Sequence, residues 1–211
     1  MMFVRIEPEI RRIFLFALLL VGVALADSNN RYGAPRTLVA PAIDGVADSL
    51  WDAATWDSIP HAYIGAAPTK ADFAGRYKVM WDAGRVYMLV EIVDDSVSDT
   101  HTDPLDNYYN DDALELFVDE NRDGGVHQYN FKAWAYHIST RKDASGKHDV
   151  VDAGTDQKNH LFNDHFEVVR SQKGHVSLWE LSMRIYGDNY TMAGPNTPLM
   201  LAAGKTLGFT V

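Results

Sequence analysis

Arg76-Tyr77-Lys78-Val79-Met80-Trp81-Asp82-Ala83-Gly84-Arg85-Val86-Tyr87-Met88-Leu89-Val90-Glu91-Ile92-Val93 decides the fold. Two runs rich in β-branched and aromatic residues flank Asp82-Ala83-Gly84-Arg85, where Gly84 can supply positive φ, so the stretch reads as an antiparallel hairpin. The second run is apolar on nearly both faces, the mark of a central strand. Working outward, residues 128–139, 166–170 and 177–185 read as further strands, the last two joined by Ser171-Gln172-Lys173-Gly174. Residues 207–211 begin one more strand, and the sequence stops inside it, so the last strand or strands are expected beyond Val211. Residues 49–55 have room for a turn or two of helix. Many short strands joined by hairpins imply an all-β domain, an antiparallel immunoglobulin-like or jelly-roll β-sandwich.

The front of the chain sets an expectation about compartment. Arg5, Arg11 and Arg12 precede the apolar run 13–25, which closes on Ala24-Leu25-Ala26, a small-x-small pattern that a signal peptidase accepts. The run is shorter than the roughly 20 residues of a membrane span. Residues 1–26 are therefore expected to be a signal peptide, 27–41 a polar lead-in and 42–211 the sandwich. Export to a periplasmic, cell-surface or extracellular site follows, with no membrane contact after cleavage. Without its leader the chain holds 16 basic and 27 acidic residues. That balance repels nucleic acid and anionic membranes. There is no cysteine, so an exported domain must stand on its core alone.

Two stretches carry candidate function. In Ala113-Leu114-Glu115-Leu116-Phe117-Val118, one face is apolar while the other carries Glu115, with Tyr108 and Tyr109 just upstream. Gln128-Tyr129-Asn130-Phe131-Lys132-Ala133-Trp134-Ala135-Tyr136 reads as a strand whose packing face is Tyr129, Phe131, Ala133 and Ala135. Its other face then presents Gln128, Asn130, Lys132, Trp134 and Tyr136. Rings that stack on C–H faces, set beside amides and an ammonium, suit an oligo- or polysaccharide. An ordinary solvated sheet face is the alternative. After the acidic strand, Asp119-x-Asn121-x-Asp123-Gly124 spaces three oxygen ligands as the opening of a calcium loop does. Its twelfth position is Asn130 and no helices flank it, which excludes an EF-hand. A looser calcium site drawing on Asp94, Asp95, Asp106, Asp111 or Asp112 and an Asx-rich turn both remain open.

The chain resembles a family 9 carbohydrate-binding module, within the sandwich group that includes DOMON domains. The matching pieces are Ile43-Asp44-Gly45-Val46-Ala47-Asp48 before Trp51, Lys78-Val79-Met80-Trp81-Asp82 running into Tyr87-Met88-Leu89-Val90, and Asp112-Ala113-Leu114-Glu115-Leu116-Phe117-Val118-Asp119-Glu120-Asn121. Gln128 and Leu207-Gly208-Phe209 also fit. The resemblance implies a non-catalytic sandwich with structural calcium and an aromatic clamp for the end of a sugar chain, of the kind attached to glycoside hydrolases in carbohydrate catabolism. It places the first clamping ring at Tyr109, the hydrogen-bonding carboxylate at Glu115 and a glutamine at Gln128. An arginine of the pattern falls on Asn130, a departure, and the second ring falls beyond Val211. The candidate sugar contacts are thus Tyr109, Glu115, Gln128, Asn130, Lys132 and Trp134, and the candidate metal ligands Asp119, Asn121 and Asp123.

Three other readings are weighed. Glycoside hydrolysis needs a second acid facing Glu115, and the sequence offers no convincing one. A DOMON-type haem site would draw on Met80, Met88, Met183, Met192 or His137. A structural or adhesion sandwich would use the same face for protein contact. The sequence leaves oligomeric state open.

Overall fold

The structure, a computed structural model, describes residues 2–6, 31–60, 66–70 and 72–211. Strands are numbered along the chain. The larger sheet runs β2 (Arg31–Ala34), β1 (Met2–Ile6), β12 (Thr206–Thr210), β6 (Ala113–Asp119), β7 (Trp134–Lys142), β8 (His148–Ala153), β9 (Asn159–Leu161). The smaller sheet runs β10 (Phe166–Lys173), β11 (Val176–Met183), β5 (Val86–Asp94), β4 (Phe73–Trp81), β3 (Asp57–Ile59). All of these strand pairings are antiparallel except β1 with β2. The expected sandwich is present, and the hairpin that opened the sequence reading forms the middle of the smaller sheet.

Alternation builds the core. Leu114, Leu116 and Val118 of β6 and Trp134, Tyr136 and Ile138 of β7 point inward. They meet Tyr77, Val79 and Trp81 of β4, Met88 and Val90 of β5, and Trp179, Leu181 and Met183 of β11. β5 is apolar on both faces because its outer face is covered too. Met80, Tyr87 and Leu89 pack there against Trp51 and Ala54, in a second buried cluster. The covering segment, which includes the 3₁₀ turn Ser49–Ala53, is pinned by Glu180 of β11, a carboxylate with no exposed surface. One Glu180 oxygen accepts the backbone N–H groups of Asp44 (3.1 Å), Gly45 (2.8 Å) and Val46 (3.1 Å), and the other accepts the Trp51 indole N–H at 2.9 Å. Gly45 sits at φ +83°, and a Cβ there would stand 3.1 Å from Val169 Cγ1. The Ile43–Asp48 motif is therefore a structural clasp.

One interior histidine is similarly matched. His165 is fully buried, with Nδ1 at 2.9 Å from the Tyr136 hydroxyl and Nε2 at 3.1 Å from that of Tyr190. A neutral imidazole has one donor and one acceptor, which serves both phenols. Burial pushes the His165 pKa down to about 4. The unfolded ring titrates near 6.5, so the unfolded chain binds the extra proton between those values. This contribution is whole above pH ~6.5 and falls away toward pH 4, by roughly 3 kcal/mol. His148, lowered chiefly by burial, acts in the same direction, whereas His127, raised by its bond to Asp152, opposes it. The thermal midpoint should drop between pH 7 and 4.5. His165→Gln should flatten that drop, and an unchanged profile in the variant would remove His165 as its cause.

Three sequence expectations meet corrections or limits. The strand predicted from Gln128 starts at Trp134; residues 127–129 form a turn, and Phe131 and Trp134 are both buried although three residues apart. The bend at 132–133 shifts the alternation, so Trp134 and Tyr136 face the core and not solvent. Within the segment expected to be a lead-in, Arg31–Ala34 pairs as β2 with Tyr32 and Ala34 buried. The Tyr32 hydroxyl donates to Thr55 O at 2.5 Å and accepts from Val79 N at 3.1 Å, tying the segment to β4. The apolar run of the expected leader lies outside the described residues. Met2–Ile6 pairs between β2 and β12, so cleavage after Ala26 would remove the partner those two strands share. No helix among the described residues is long and apolar enough to cross a membrane.

Candidate functional site

The outer face of the larger sheet holds the candidate site. Inward Leu114, Leu116 and Val118 leave Glu115 and Phe117 of β6 facing out, and inward Tyr136 and Ile138 leave His137 facing out beside them. Glu115 and His137 are register partners, and Glu115 Oε1 lies 3.0 Å from His137 Nδ1. That hydrogen bond is the main reason the Glu115 carboxyl titrates below its usual range. The Glu115 side chain is 52% exposed while that of His137 is 6% exposed, so the imidazole orients and the carboxylate faces solvent.

Two rings extend this pair. Tyr108 meets His137 edge-on at 4.7 Å between centroids, and Tyr109 meets Tyr108 edge-on at 5.6 Å. Both belong to the 3₁₀ turn Tyr108–Asn110, entered through Asn107 in the left-handed region. Tyr109 is 65% exposed, with its hydroxyl donating to Asn107 Oδ1 at 3.1 Å. Much of its ring is left open to solvent while Tyr108 and Asn107 hold its orientation. Burial raises the Tyr108 pKa, with the charges of Asp152 and Glu115 adding to the rise.

The loop carrying these rings is tied down at several points. Asp111 accepts the backbone N–H groups of Thr100 and His101 at 2.8 Å each, the Thr100 hydroxyl at 3.0 Å, and lies 2.9 Å from His101 Nδ1. Desolvation pushes the Asp111 carboxyl pKa up, but these bonds together hold it well below the usual carboxylate range. Arg141 of β7 donates to Asp99 Oδ1 at 3.0 Å and to its carbonyl at 2.8 Å. The cavity beneath, next to Tyr108, His137 and Val151, measures about 30 Å³. That is room for water and not for a sugar ring, so a saccharide at this face would lie on top of the loop and sheet.

A second acid–histidine pair borders the strip. His127 Nδ1 lies 2.7 Å from Asp152 Oδ1, and Asp152 Oδ2 accepts the Ala135 N–H at 2.7 Å. Asp152 is almost wholly buried. Gln128, next to His127, is exposed and has no hydrogen-bond partner among the described residues. Tyr109 and Glu115 are thus linked through Tyr108 and His137, and Gln128 is the sequence neighbour of His127.

The remaining expected contacts are elsewhere. Trp134 is 2% exposed and stacks between Phe131 (4.8 Å) and Tyr136 (5.2 Å), so it is a core residue and not a sugar platform. The Asn130 side chain accepts the Lys132 N–H at 3.0 Å, and the Lys132 ammonium bonds Asp123 at 2.8 Å with Asp188 3.8 Å away. Both side chains organise the loop after β6, whose Asp119 lies at the opposite end of the strand from Ala113.

That loop is where calcium was expected. Asp119 is buried, and its oxygens accept the N–H groups of Asn121 (3.2 Å), Arg122 (2.6 Å) and Gly124 (2.9 Å). Asn121 Oδ1 accepts the Asp123 N–H at 3.0 Å, and Asp123 is paired with Lys132. Asp119, Asn121 and Asp123 therefore form an Asx-rich turn whose oxygens are directed at its own backbone and at an ammonium. Among the described residues no group of three or more His, Cys, Asp or Glu is arranged to hold a metal. For the haem reading, Met80, Met88 and Met183 fill the core, and His137 is bonded to Glu115.

His137, His127, Asp152 and Phe117 stand on or beside this face and were not among the expected sugar contacts. His137 was legible in principle: a strand started at Trp134 alternates Trp134, Tyr136 and Ile138 against Ala135, His137 and Ser139. The Asp152–His127 contact joins residues 25 positions apart and leaves no local pattern.

Comparisons with known proteins agree with this architecture. A family model described as "Carbohydrate family 9 binding domain-like" matches residues 43–211. Exoglucanase XynX of Acetivibrio thermocellus is 33% identical over 86 residues, 39% of this chain and 7% of that protein. Endo-1,4-beta-xylanase A of Thermoanaerobacterium saccharolyticum is 29% identical over 90 residues, 43% of this chain and 7% of that protein. The match thus spans only a small part of either relative. A family 9 carbohydrate-binding module from Caldicellulosiruptor kristjanssonii in complex with glucose superimposes with a TM-score of 0.54 at 20% identity, covering 84% of this chain and 72% of that one. A second from the same organism, in complex with cellotriose, gives 0.50 at 24% identity, covering 72% and 64%. At these identities the likeness is one of fold.

Proposed function

This chain belongs to the carbohydrate family 9 binding domain-like family, and from that premise we propose that it binds an oligo- or polysaccharide on the outer face of β6 and β7, without catalysing its cleavage. One observation carries the reading: the exposed ring of Tyr109 stands beside a solvent-facing Glu115 carboxylate, joined through Tyr108 and His137. Tyr109 stacks on a pyranose face while Glu115 and Gln128 bond its hydroxyls. The solved modules of the same fold, bound to glucose and cellotriose, support a glucan ligand.

Glu115 is also unsuited to a general-acid role. A general acid in glycoside hydrolysis needs a raised pKa. Glu115 is shifted down by His137, and Asp152 beside the strip is buried and bonded. A permanently ionised carboxylate is suited to accepting sugar hydroxyls. One ring contact is worth roughly 0.5–1.5 kcal/mol beyond burial and one charged hydrogen bond roughly 1.5–3 kcal/mol. After the loss of ligand freedom, affinity should lie at about millimolar to micromolar. The Arg-containing start and the run closing on Ala24-Leu25-Ala26 support an exported setting in polysaccharide breakdown.

Titration of the chain with cello- and xylo-oligosaccharides tests this. Glu115→Gln should weaken binding about tenfold, in line with the loss of one charge-assisted bond. It should not change the unfolding midpoint by more than a degree or two. Undiminished affinity would remove Glu115 from the site.

A further inference from the structure

A groove at the β4–β5 hairpin has a character opposite to that of the whole chain. It measures about 510 Å³ and lies among Arg36, Leu38, Asp82, Gly84, Arg85 and Arg184. The chain carries 29 acidic against 19 basic residues, yet three guanidinium groups line this groove against the single carboxylate of Asp82.

That carboxylate is already engaged. Asp82 Oδ1 accepts the N–H groups of Gly84 (2.7 Å) and Arg85 (2.8 Å), and Oδ2 accepts the Tyr87 hydroxyl at 2.7 Å. Arg85 and Arg184 are held by neutral acceptors. Arg85 donates to the Ser182 hydroxyl at 2.7 Å, Arg184 donates to the Asp164 carbonyl, and Arg36 lies over the Trp81 ring, 5.5 Å from its centroid. Neither Arg85 nor Arg184 has an ion pair with a carboxylate among the described residues, although Arg76 and Arg141 each have one. Two further acids lie near this face, Glu167, register partner of Ser182, and Asp164, whose carbonyl accepts from Arg184; neither carboxylate forms an ion pair with Arg85 or Arg184 among the described residues. Positioned guanidinium groups without an internal counter-ion are matched to a planar anion that they can grip with two bonds.

We propose that this groove is a second subsite, which takes the carboxylate of a uronic acid unit in an acidic polysaccharide. The inference rests on the carbohydrate reading above and adds an acidic ligand class on a separate surface. The surface is open to solvent and wider than a bare anion requires. Leu38, strongly exposed, offers an apolar wall for the C–H face of a sugar. A phosphate cradle would use the hairpin N–H groups, but Asp82 occupies those of Gly84 and Arg85.

The test titrates a glucuronic acid-substituted xylo-oligosaccharide, its carboxyl-reduced counterpart, a neutral cello-oligosaccharide and inorganic phosphate. The acidic ligand should bind at least tenfold more tightly than its reduced form, and lose that margin in about 1 M salt, where charges are screened within about 3 Å. Arg85→Gln and Leu38→Glu should each remove the margin and leave cello-oligosaccharide binding intact. Leu38 is on the surface, so its variant keeps the test open should Arg85→Gln unfold. Equal binding of acidic and reduced ligands, or a margin untouched in Leu38→Glu, overturns the proposal. So does phosphate competing at the affinity of the acidic sugar, which would reduce the groove to an anion clamp. Failure of the cello-oligosaccharide arm alone counts against the site at Tyr109 and not against this one.

Discussion

Glu180→Ala should lower the unfolding free energy by about 3–5 kcal/mol, read as a shifted midpoint in a denaturant titration with two-state slopes. The four donors that Glu180 satisfies come from Asp44, Gly45, Val46 and Trp51. Each orphaned buried donor costs roughly 1–3 kcal/mol. The Asp44 and Val46 amides can recover water, which keeps the sum below four full penalties. Loosening the clasp also uncovers Met80, Tyr87 and Leu89 on the outer face of β5 and β4. Against a typical stability of about 5–15 kcal/mol, such a loss brings the domain close to unfolding at ordinary temperature. Glu180→Gln should cost less, since one amide oxygen still accepts the three backbone groups while its NH₂ opposes the Trp51 indole N–H. A loss under about 1 kcal/mol in the alanine variant would show that the clasp is not pinned by this carboxylate.

Tyr109→Ala should weaken saccharide binding by at least tenfold, about 1.4 kcal/mol or more, while leaving stability within about 0.5 kcal/mol. The asymmetry follows from exposure: the ring covers little of the protein and offers most of its surface to a ligand. Its neighbour Tyr108 packs on His137 and should behave in the reverse way, with alanine there disturbing the loop as well as the site. Binding retained in Tyr109→Ala, measured on the same oligosaccharides, would move the site off this turn.

The two variants also show what the sequence exposes and what it hides. The hairpin 76–93 was legible because its turn and its two apolar runs are contiguous. The outward direction of Glu115 was legible because Leu114, Leu116 and Val118 declare the inner face. The phase of β7 was not, because extrapolation from Gln128 carried an alternation across the bend at 132–133 and turned Trp134 and Tyr136 outward. The clasp was visible as the Ile43–Asp48 motif, but its partner lies more than 130 residues away at Glu180, a separation no periodicity reports. The acidic spacing at 119–124 was real, yet side chains two apart can turn onto backbone N–H groups as readily as onto a cation. In this loop they do the former, with Lys132 neutralising Asp123.

The measurement that bears most directly on the sugar-binding face is chemical-shift mapping of the ¹⁵N-labelled domain during titration with cellotriose. Shifts concentrated at Asn107 to Phe117, His127 to Tyr129 and Ala135 to His137 are the predicted result. Shifts confined to the outer surface of β4, β5 and β11, or no shifts at millimolar sugar, would contradict it.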